Sequence, residues 1–196
     1  MKKIFLYCFT FFLLISCKKT EPVSLKEIIS NEIVVITYNS KKSSINDSVS
    51  IIIPLKFEVI INKNSLKYFK IDFFKNKKYK MIVDDYEIYD PLNNLKPLLN
   101  FNTYLSSKEP FYILLKEKKQ LISKKDAQKL MKKYNSNQSL DQLKFGDTLN
   151  LISYDIFRKD NAEILKELRR TEDKIRITTS GKGENYFNSQ DFKINW

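Results

Sequence analysis

Apolar and polar side chains alternate with a period of two along much of this chain, which predicts β-strands. In residues 55–61, Leu55 and Phe57 alternate with Lys56 and Glu58, as in a strand with one buried face. Further strands are predicted at residues 33–38, 66–74, 79–83, 86–89, 111–115, 149–157, 174–179, 186–187 and 192–196. Short strands separated by turn residues are typical of a sandwich or a barrel.

Two segments change to helical spacing. Ser123 followed by Asp126 predicts a helix N-terminus, and the apolar residues after it recur on one face. Asp160 and Glu163 predict a second helix start, with a helix that runs to Leu168. We therefore expect a mainly β chain, an antiparallel Ig-like β-sandwich with one or two short helices.

Two segments of the body resemble bacterial Ig-like domains. Residues 53–66 are similar to the second strand of such domains, and Phe145-Gly146-Asp147-Thr148 is similar to the turn that opens a later strand. Ig domains proper also have a Cys-Trp-Cys core, which this chain lacks. The resemblance implies a sandwich and no particular activity.

The N-terminus has the pattern of an export signal. Lys2 and Lys3 precede an apolar run over residues 4–15, which is shorter than the roughly twenty residues that cross a bilayer. Leu14-Ile15-Ser16-Cys17 resembles the lipobox of bacterial lipoproteins. That resemblance implies that residues 1–16 are a removed signal peptide and that Cys17 carries diacylglycerol and an amide-linked acyl chain such as palmitate. Several acyl chains would hold the chain stably on a membrane.

The same resemblance divides the chain into three parts. Residues 1–16 are the signal peptide, residues 17–24 a lipidated tether, and residues 25–196 a single β-sandwich domain. In enterobacterial lipoproteins an Asp after the acylated cysteine causes retention in the inner membrane. Lys18 therefore favours the outer membrane. The sequence does not distinguish its periplasmic face from its surface face.

Cysteine and histidine usage excludes several kinds of chemistry. The chain has two cysteines and no histidine. Cys8 would leave with the signal and Cys17 would carry lipid, so we expect no disulfide and no thiol nucleophile. Histidine-based triads and the usual zinc sites are excluded as well. We expect no metal, no cofactor and no enzymatic activity.

The formal net charge is +12, and most of it comes from lysine. Nucleic-acid readers favour arginine for bidentate contacts, so we expect no nucleic-acid partner. The lysines either bind anionic headgroups or glycolipid, or form a solvated surface that reflects AT-rich codon usage. Both interpretations stay open at this point.

The densest basic cluster lies in and before the first predicted helix. Its lysines are Lys116, Lys118, Lys119, Lys124, Lys125, Lys129, Lys132 and Lys133. We take Lys125, Lys129, Lys132 and Lys133 as a candidate polyanion-binding face, with a solvated helix face as the alternative. Tyr86, Tyr89, Tyr104 and Tyr112 form either a contact patch or part of the core rim.

Two short segments fit a bacterial O-glycosylation pattern, Asp followed by Ser or Thr and an apolar residue. They are Asp47-Ser48-Val49 and Asp147-Thr148-Leu149, and the expected loop position makes Ser48 the stronger candidate. Trp196, at the chain end, is expected to pack a closing strand into the core.

The sequence favours a lipid-anchored cell-envelope protein with a non-enzymatic binding or scaffolding role. Its partners would be the membrane, through the lipid, and an envelope protein or anionic glycolipid. One alternative is an immunity or inhibitor lipoprotein that blocks a toxin or hydrolase. A carboxylate-based hydrolase, with two acids meeting in a cleft, is another.

Overall fold

The computed structural model describes residues 21–38, 47–62, 66–92, 96–105, 109–118, 120–134, 139–144, 146–168 and 172–194. The strands in these ranges are β1 Val23–Ile28, β2 Ile33–Thr37, β3 Ser48–Ile52, β4 Pro54–Ile61, β5 Leu66–Lys75, β6 Lys78–Lys80, β7 Tyr86–Tyr89, β8 Phe111–Glu117, β9 Leu121–Ser123, β10 Thr148–Ser153, β11 Lys174–Gly181 and β12 Asn188–Lys193. The α-helices are α1 Lys124–Lys133, α2 Tyr154–Asp160 and α3 Ala162–Leu168, and short 3-10 turns lie at Asn102–Tyr104 and Leu140–Gln142.

The named strands form three four-stranded antiparallel sheets. Sheet A has the order β1-β4-β8-β7, sheet B the order β10-β2-β3-β9, and sheet C the order β12-β11-β5-β6. The prediction of a mainly β, antiparallel fold is confirmed, and the described residues hold three short α-helices where one or two were expected.

Sheets A and C pack face to face through aromatic side chains. The ring of Phe73 in β5 lies 5.5 Å from the ring of Tyr86 in β7, and Phe69 lies 6.1 Å from Phe111 in β8. The Tyr86 hydroxyl also donates a hydrogen bond of 3.3 Å to the carbonyl of Ile71. These contacts give the sandwich-like packing that the alternating strands predict.

Sheet B continues sheet A through bent strands. Ile53 alone separates β3 from β4, and residues 118–120 separate their partners β8 and β9. Pro54 begins β4, where its missing N–H is tolerated. Helices α1 and α2 lie against sheet B, and one hydrophobic core joins all three sheets to the helices.

The predicted long strand over residues 149–157 is wrong in its second half, because β10 ends at Ser153 and α2 begins at Tyr154. The backbone N–H groups of Tyr154 and Asp155 donate to the carbonyls of Glu32 and Ser30, at 2.9 and 3.1 Å. These bonds satisfy donors that a helix start otherwise leaves free. The tertiary structure, not a local capping side chain, therefore begins this helix.

Smaller differences concern strand boundaries. The first strand begins at Val23, inside the predicted tether, because Val23 pairs with Ile61 of β4. Strands β1, β3 and β9 were not predicted, and β6 ends at Lys80. The last described strand is Asn188–Lys193, so the predicted strand at 186–187 is wrong, and the strand predicted at 192–196 begins earlier, at residue 188. Trp196 lies outside the described residues.

Candidate functional site

The lysines of the candidate polyanion-binding face share one side of α1. The opposite side of the helix is buried in the core through Ala127, Leu130 and Met131. At 100° per residue, Lys125, Lys129, Lys132 and Lys133 fall within an arc of about 100°, and all four are exposed. We call this surface the lysine face.

Acidic neighbours reduce the charge of the lysine face. Lys129 Nζ lies 3.3 Å from Asp126 Oδ1, and Lys133 Nζ lies 3.7 Å from Asp160 Oδ2. Lys125 and Lys132 form no ion pair with the residues that the structure describes. These two side chains therefore supply most of the available positive charge.

A groove of about 460 Å³ separates α1 from the α2–α3 segment. The Lys133 ammonium crosses to the other wall and donates to the carbonyl of Asp160 at 2.9 Å. The side-chain amide of Asn161 donates to the Tyr134 hydroxyl at 2.7 Å. Because Lys159 and Glu163 also line it, the groove presents both signs of charge. Such a surface suits a polar partner with mixed charges better than a uniform polyanion.

A buried polar cluster lies where sheet A bends into sheet B. Lys75 Nζ, at the end of β5, donates to Glu117 Oε1 at 2.7 Å and also to Gln120 Oε1. Glu117 is 2% exposed, and its second carboxylate oxygen has no hydrogen-bond partner among the described residues. Burial raises the pKa of the Glu117 carboxyl, whereas the Lys75 ammonium acts to lower it.

A charged cleft of about 610 Å³ lies beside the β5–β6 turn. Asp191 in this cleft is bound by Arg176 and Lys174, and hydrogen bonds from these cations lower its pKa to about 2. Glu172 lies 3.1 Å from the ammonium of Lys77. An Asp191 carboxylate held ionised in this way is a poor proton donor, so it does not supply the general acid that the hydrolase alternative needs.

The tyrosines near the middle of the chain do not form one surface. Tyr86 is in the core at 1% exposure, whereas Tyr112 is 42% exposed. The Tyr104 ring stacks on Phe111 at 4.4 Å, and its hydroxyl donates to Asp90 at 2.9 Å. Burial and this hydrogen bond raise the pKa of Tyr104 to about 12. Tyr86 is therefore a core residue, whereas Tyr112 is exposed enough to belong to a contact patch.

The two candidate glycosylation residues differ in accessibility. Ser48 is 8% exposed and begins β3, so the loop position expected for it is wrong. Thr148 begins β10 and is exposed. The candidate acylation residue Cys17 lies outside the described residues.

The sequence pattern did not indicate the Lys75–Glu117–Gln120 cluster. Lys75 and Glu117 are 42 positions apart and each looks like an ordinary charged residue at a strand end. Within the described ranges, no group of three or more acidic, histidine or cysteine side chains is arranged to hold a metal ion. None of the helices there is long and apolar enough to cross a bilayer.

Comparison of the chain with protein-family models, with curated proteins and with solved structures gave no significant match.

Proposed function

We propose that this chain is a lipid-anchored cell-envelope protein whose β-rich body binds or scaffolds an envelope partner. The observation that carries the proposal is Leu14-Ile15-Ser16-Cys17 after a short apolar run, which is the pattern of a lipoprotein acylation site. Lys18 supports delivery to the outer membrane.

The anchor is tested with the two cysteines of the chain. In cells fed labelled palmitate, the native chain and Cys8→Ser should both take up label and fractionate with membranes. Cys17→Ser should lose both properties. Cys8→Ser is the matched control because it removes a thiol from the predicted signal peptide. Membrane fractionation of Cys17→Ser, together with no label in the native chain, would contradict the proposal.

The lysine face and the adjoining groove are the surface that we propose for partner binding. Exposed Lys125 and Lys132 provide positive charge. The groove between α1 and the α2–α3 segment provides a concave surface lined by acidic and basic side chains. An envelope protein or an anionic glycolipid fits this combination. A photo-crosslinking residue at Lys132, compared with one at Lys78 in β6, should capture a partner in living cells, to be identified by mass spectrometry.

Charge substitution tests whether the lysine face binds polyanions. Replacing Lys125, Lys129, Lys132 and Lys133 with Gln should abolish salt-sensitive retention on heparin. The control removes equal charge at four exposed lysines elsewhere, namely Lys67, Lys78, Lys96 and Lys166. Equal loss of retention in both variants would show that only net charge matters and would reject a specific face.

Thr148 is the residue that we propose for O-glycan attachment, since its side chain is exposed while that of Ser48 is buried. The intact mass of the native protein, compared with Thr148→Ala, tests this. A glycan mass that persists in Thr148→Ala would contradict it.

A further inference from the structure

Three aromatic side chains are exposed together at one end of sheet C. Tyr68, Tyr186 and Phe187 are 38%, 59% and 65% exposed. The rings of Tyr68 and Phe187 meet edge to face, with centroids 5.1 Å apart. We call these three residues the aromatic rim. Large aromatic side chains are favoured in the core, so a group of them at the surface indicates a contact with another apolar phase.

The aromatic rim lies at the end of the fold where the described chain begins. A cleft of about 490 Å³ is lined by Glu21 and Pro22 on one side and by Tyr186 on the other. Asn62, at the end of β4, fixes this segment, because its backbone N–H donates to the Pro22 carbonyl at 2.9 Å and its side chain to the Glu21 carbonyl at 3.0 Å.

Covalent geometry limits how far Cys17 lies from Glu21. An extended chain spans at most 3.3–3.6 Å per residue, so four residues reach no more than ~14 Å. If Cys17 carries lipid, as proposed above, the anchored membrane surface must lie within about that distance of Glu21 plus the acyl linkage. The aromatic rim is exposed at that end.

We infer that the aromatic rim lies in the phospholipid headgroup layer of the membrane that holds the lipid on Cys17. Tyrosine suits this layer because its ring is apolar while its hydroxyl stays hydrated. Exposed Lys67 and Lys182 flank the rim, where ammonium groups meet lipid phosphates. The rim would give the β-rich body a fixed orientation on the membrane to which the lipid attaches it.

The opposite end of sheet C offers the competing surface. Tyr79, Met81 and Val83 are exposed there, at 51%, 54% and 44%. Gly181 pairs with Leu66 at one end of β5, and Lys78 pairs with Lys75 at the other. At about 3.3 Å per residue, these ends are about 30 Å apart. An interfacial layer ~5–10 Å deep therefore holds both ends only if the strands lie flat in the membrane plane, and in that orientation the two ends would be equally close to the headgroups.

The test uses single cysteines in the full-length lipidated protein, since acylated Cys17 and removed Cys8 leave no other thiol. Lys182→Cys, in the turn after β11, and Lys78→Cys, in β6, are matched because both replace exposed lysines at opposite ends of sheet C. Each is labelled with a nitrobenzoxadiazole dye and reconstituted into phosphatidylethanolamine–phosphatidylglycerol vesicles. A headgroup spin-labelled lipid then serves as the quencher.

The inference expects several-fold stronger quenching at position 182 than at position 78, and loss of this difference when Tyr186→Ser and Phe187→Ser are added. Equal quenching at both positions, or stronger quenching at position 78, would overturn it. Intact mass and vesicle flotation separate this failure from failure of the anchor. If the acyl mass is missing and the protein does not float, the proposed function fails; if both are present and the quenching difference is absent, only the orientation fails.

Discussion

The ammonium of Lys75 lies 2.7 Å from Glu117 Oε1 and joins the end of β5 in sheet C to the end of β8 in sheet A. The lysine side chain is 18% exposed and the glutamate side chain 3%. The pair therefore ties sheet C to sheet A beside the point where sheet A bends into sheet B.

Removing the cation from this pair should be strongly destabilising. Lys75→Met leaves a buried carboxylate without its countercharge, which typically costs about 3–5 kcal/mol. Adding Glu117→Gln should recover much of that loss, because the buried charge is then absent. Urea unfolding at neutral pH measures both values. The control is Lys77→Met in the same turn, whose partner Glu172 is exposed, with an expected loss of about 0–1 kcal/mol. Similar losses for Lys75→Met and Lys77→Met would show that the buried pair does not tie the two sheets together.

The same pair predicts a pH dependence. Burial raises the pKa of Glu117 above its ordinary 4.5, and Lys75 opposes that rise. A carboxyl with a raised folded pKa contributes stability that is present below 4.5 and is lost as pH rises through the folded pKa. Lys75→Met raises the pKa further, so its deficit against the native chain should grow from acid to neutral pH. Unfolding free energies measured across that range check this, and a deficit that shrinks toward neutral pH contradicts it.

Asp191 should show the opposite dependence. Hydrogen bonds from Arg176 and Lys174 lower its pKa to about 2, so its stabilising effect is present above 3.8 and is lost as pH falls toward 2. Since the pair is more than one third exposed, we expect the total effect to be at most about 1 kcal/mol. Carboxyl carbon NMR should find the low pKa, and Arg176→Met should move it toward 3.8. A pKa that Arg176→Met leaves unchanged would assign the shift to another cause.

The elements that sequence predicted are those whose buried side is set by their own residues. Strand β4 alternates along its length, and α1 has both a capping residue and an apolar stripe. Strand β3 differs because Ser48 and Ser50 are buried beside Val49 and Ile51, which hides any alternation. The burial of β3 depends on its neighbours in sheet B and on α1, and the local sequence of β3 does not indicate these neighbours.

The candidate site also combines features that local sequence sets with features that distant contacts set. The spacing of Lys125, Lys129, Lys132 and Lys133 placed them on one helix face from sequence alone, because helical periodicity is local. The ion pair of Lys133 with Asp160 and the Lys75–Glu117 pair join segments that are far apart in sequence. The positive charges of Lys133 and Lys75 are partly neutralised by carboxylates that only the folded chain brings near them.

The change from β10 to α2 predicts which side chains carry stability. In a strand that continued to residue 157, Tyr154 would share a face with Ile156 and point away from Phe157. In α2, by contrast, Tyr154 and Phe157 share the buried side. Phe157→Ala and Tyr154→Ala should each cost about 3–5 kcal/mol, since both side chains are fully buried. Ile156→Ala, at 42% exposure, is the control and should cost much less. A small effect of Tyr154→Ala would favour the continued strand.

Helix α1 should depend on Ser123. The hydroxyl of Ser123 accepts from the backbone N–H of Asp126 at 3.0 Å and donates to the Asp126 carboxylate at 2.6 Å. Ser123→Ala removes both bonds and should cost about 1 kcal/mol in urea unfolding, while Ser123→Asp keeps the capping acceptor and should cost less. The hydrogen bond from Ser123 is the largest cause of the lowered pKa of Asp126, so NMR should find that pKa closer to its ordinary 3.8 in Ser123→Ala. Loss of stability without any change in the Asp126 titration would assign the effect to the end of β9 and not to the helix cap. Because α1 carries the lysine face, a frayed first turn should also reduce the contribution of Lys125 to heparin retention, and Ser123→Thr, which keeps a neutral hydroxyl cap, should restore it.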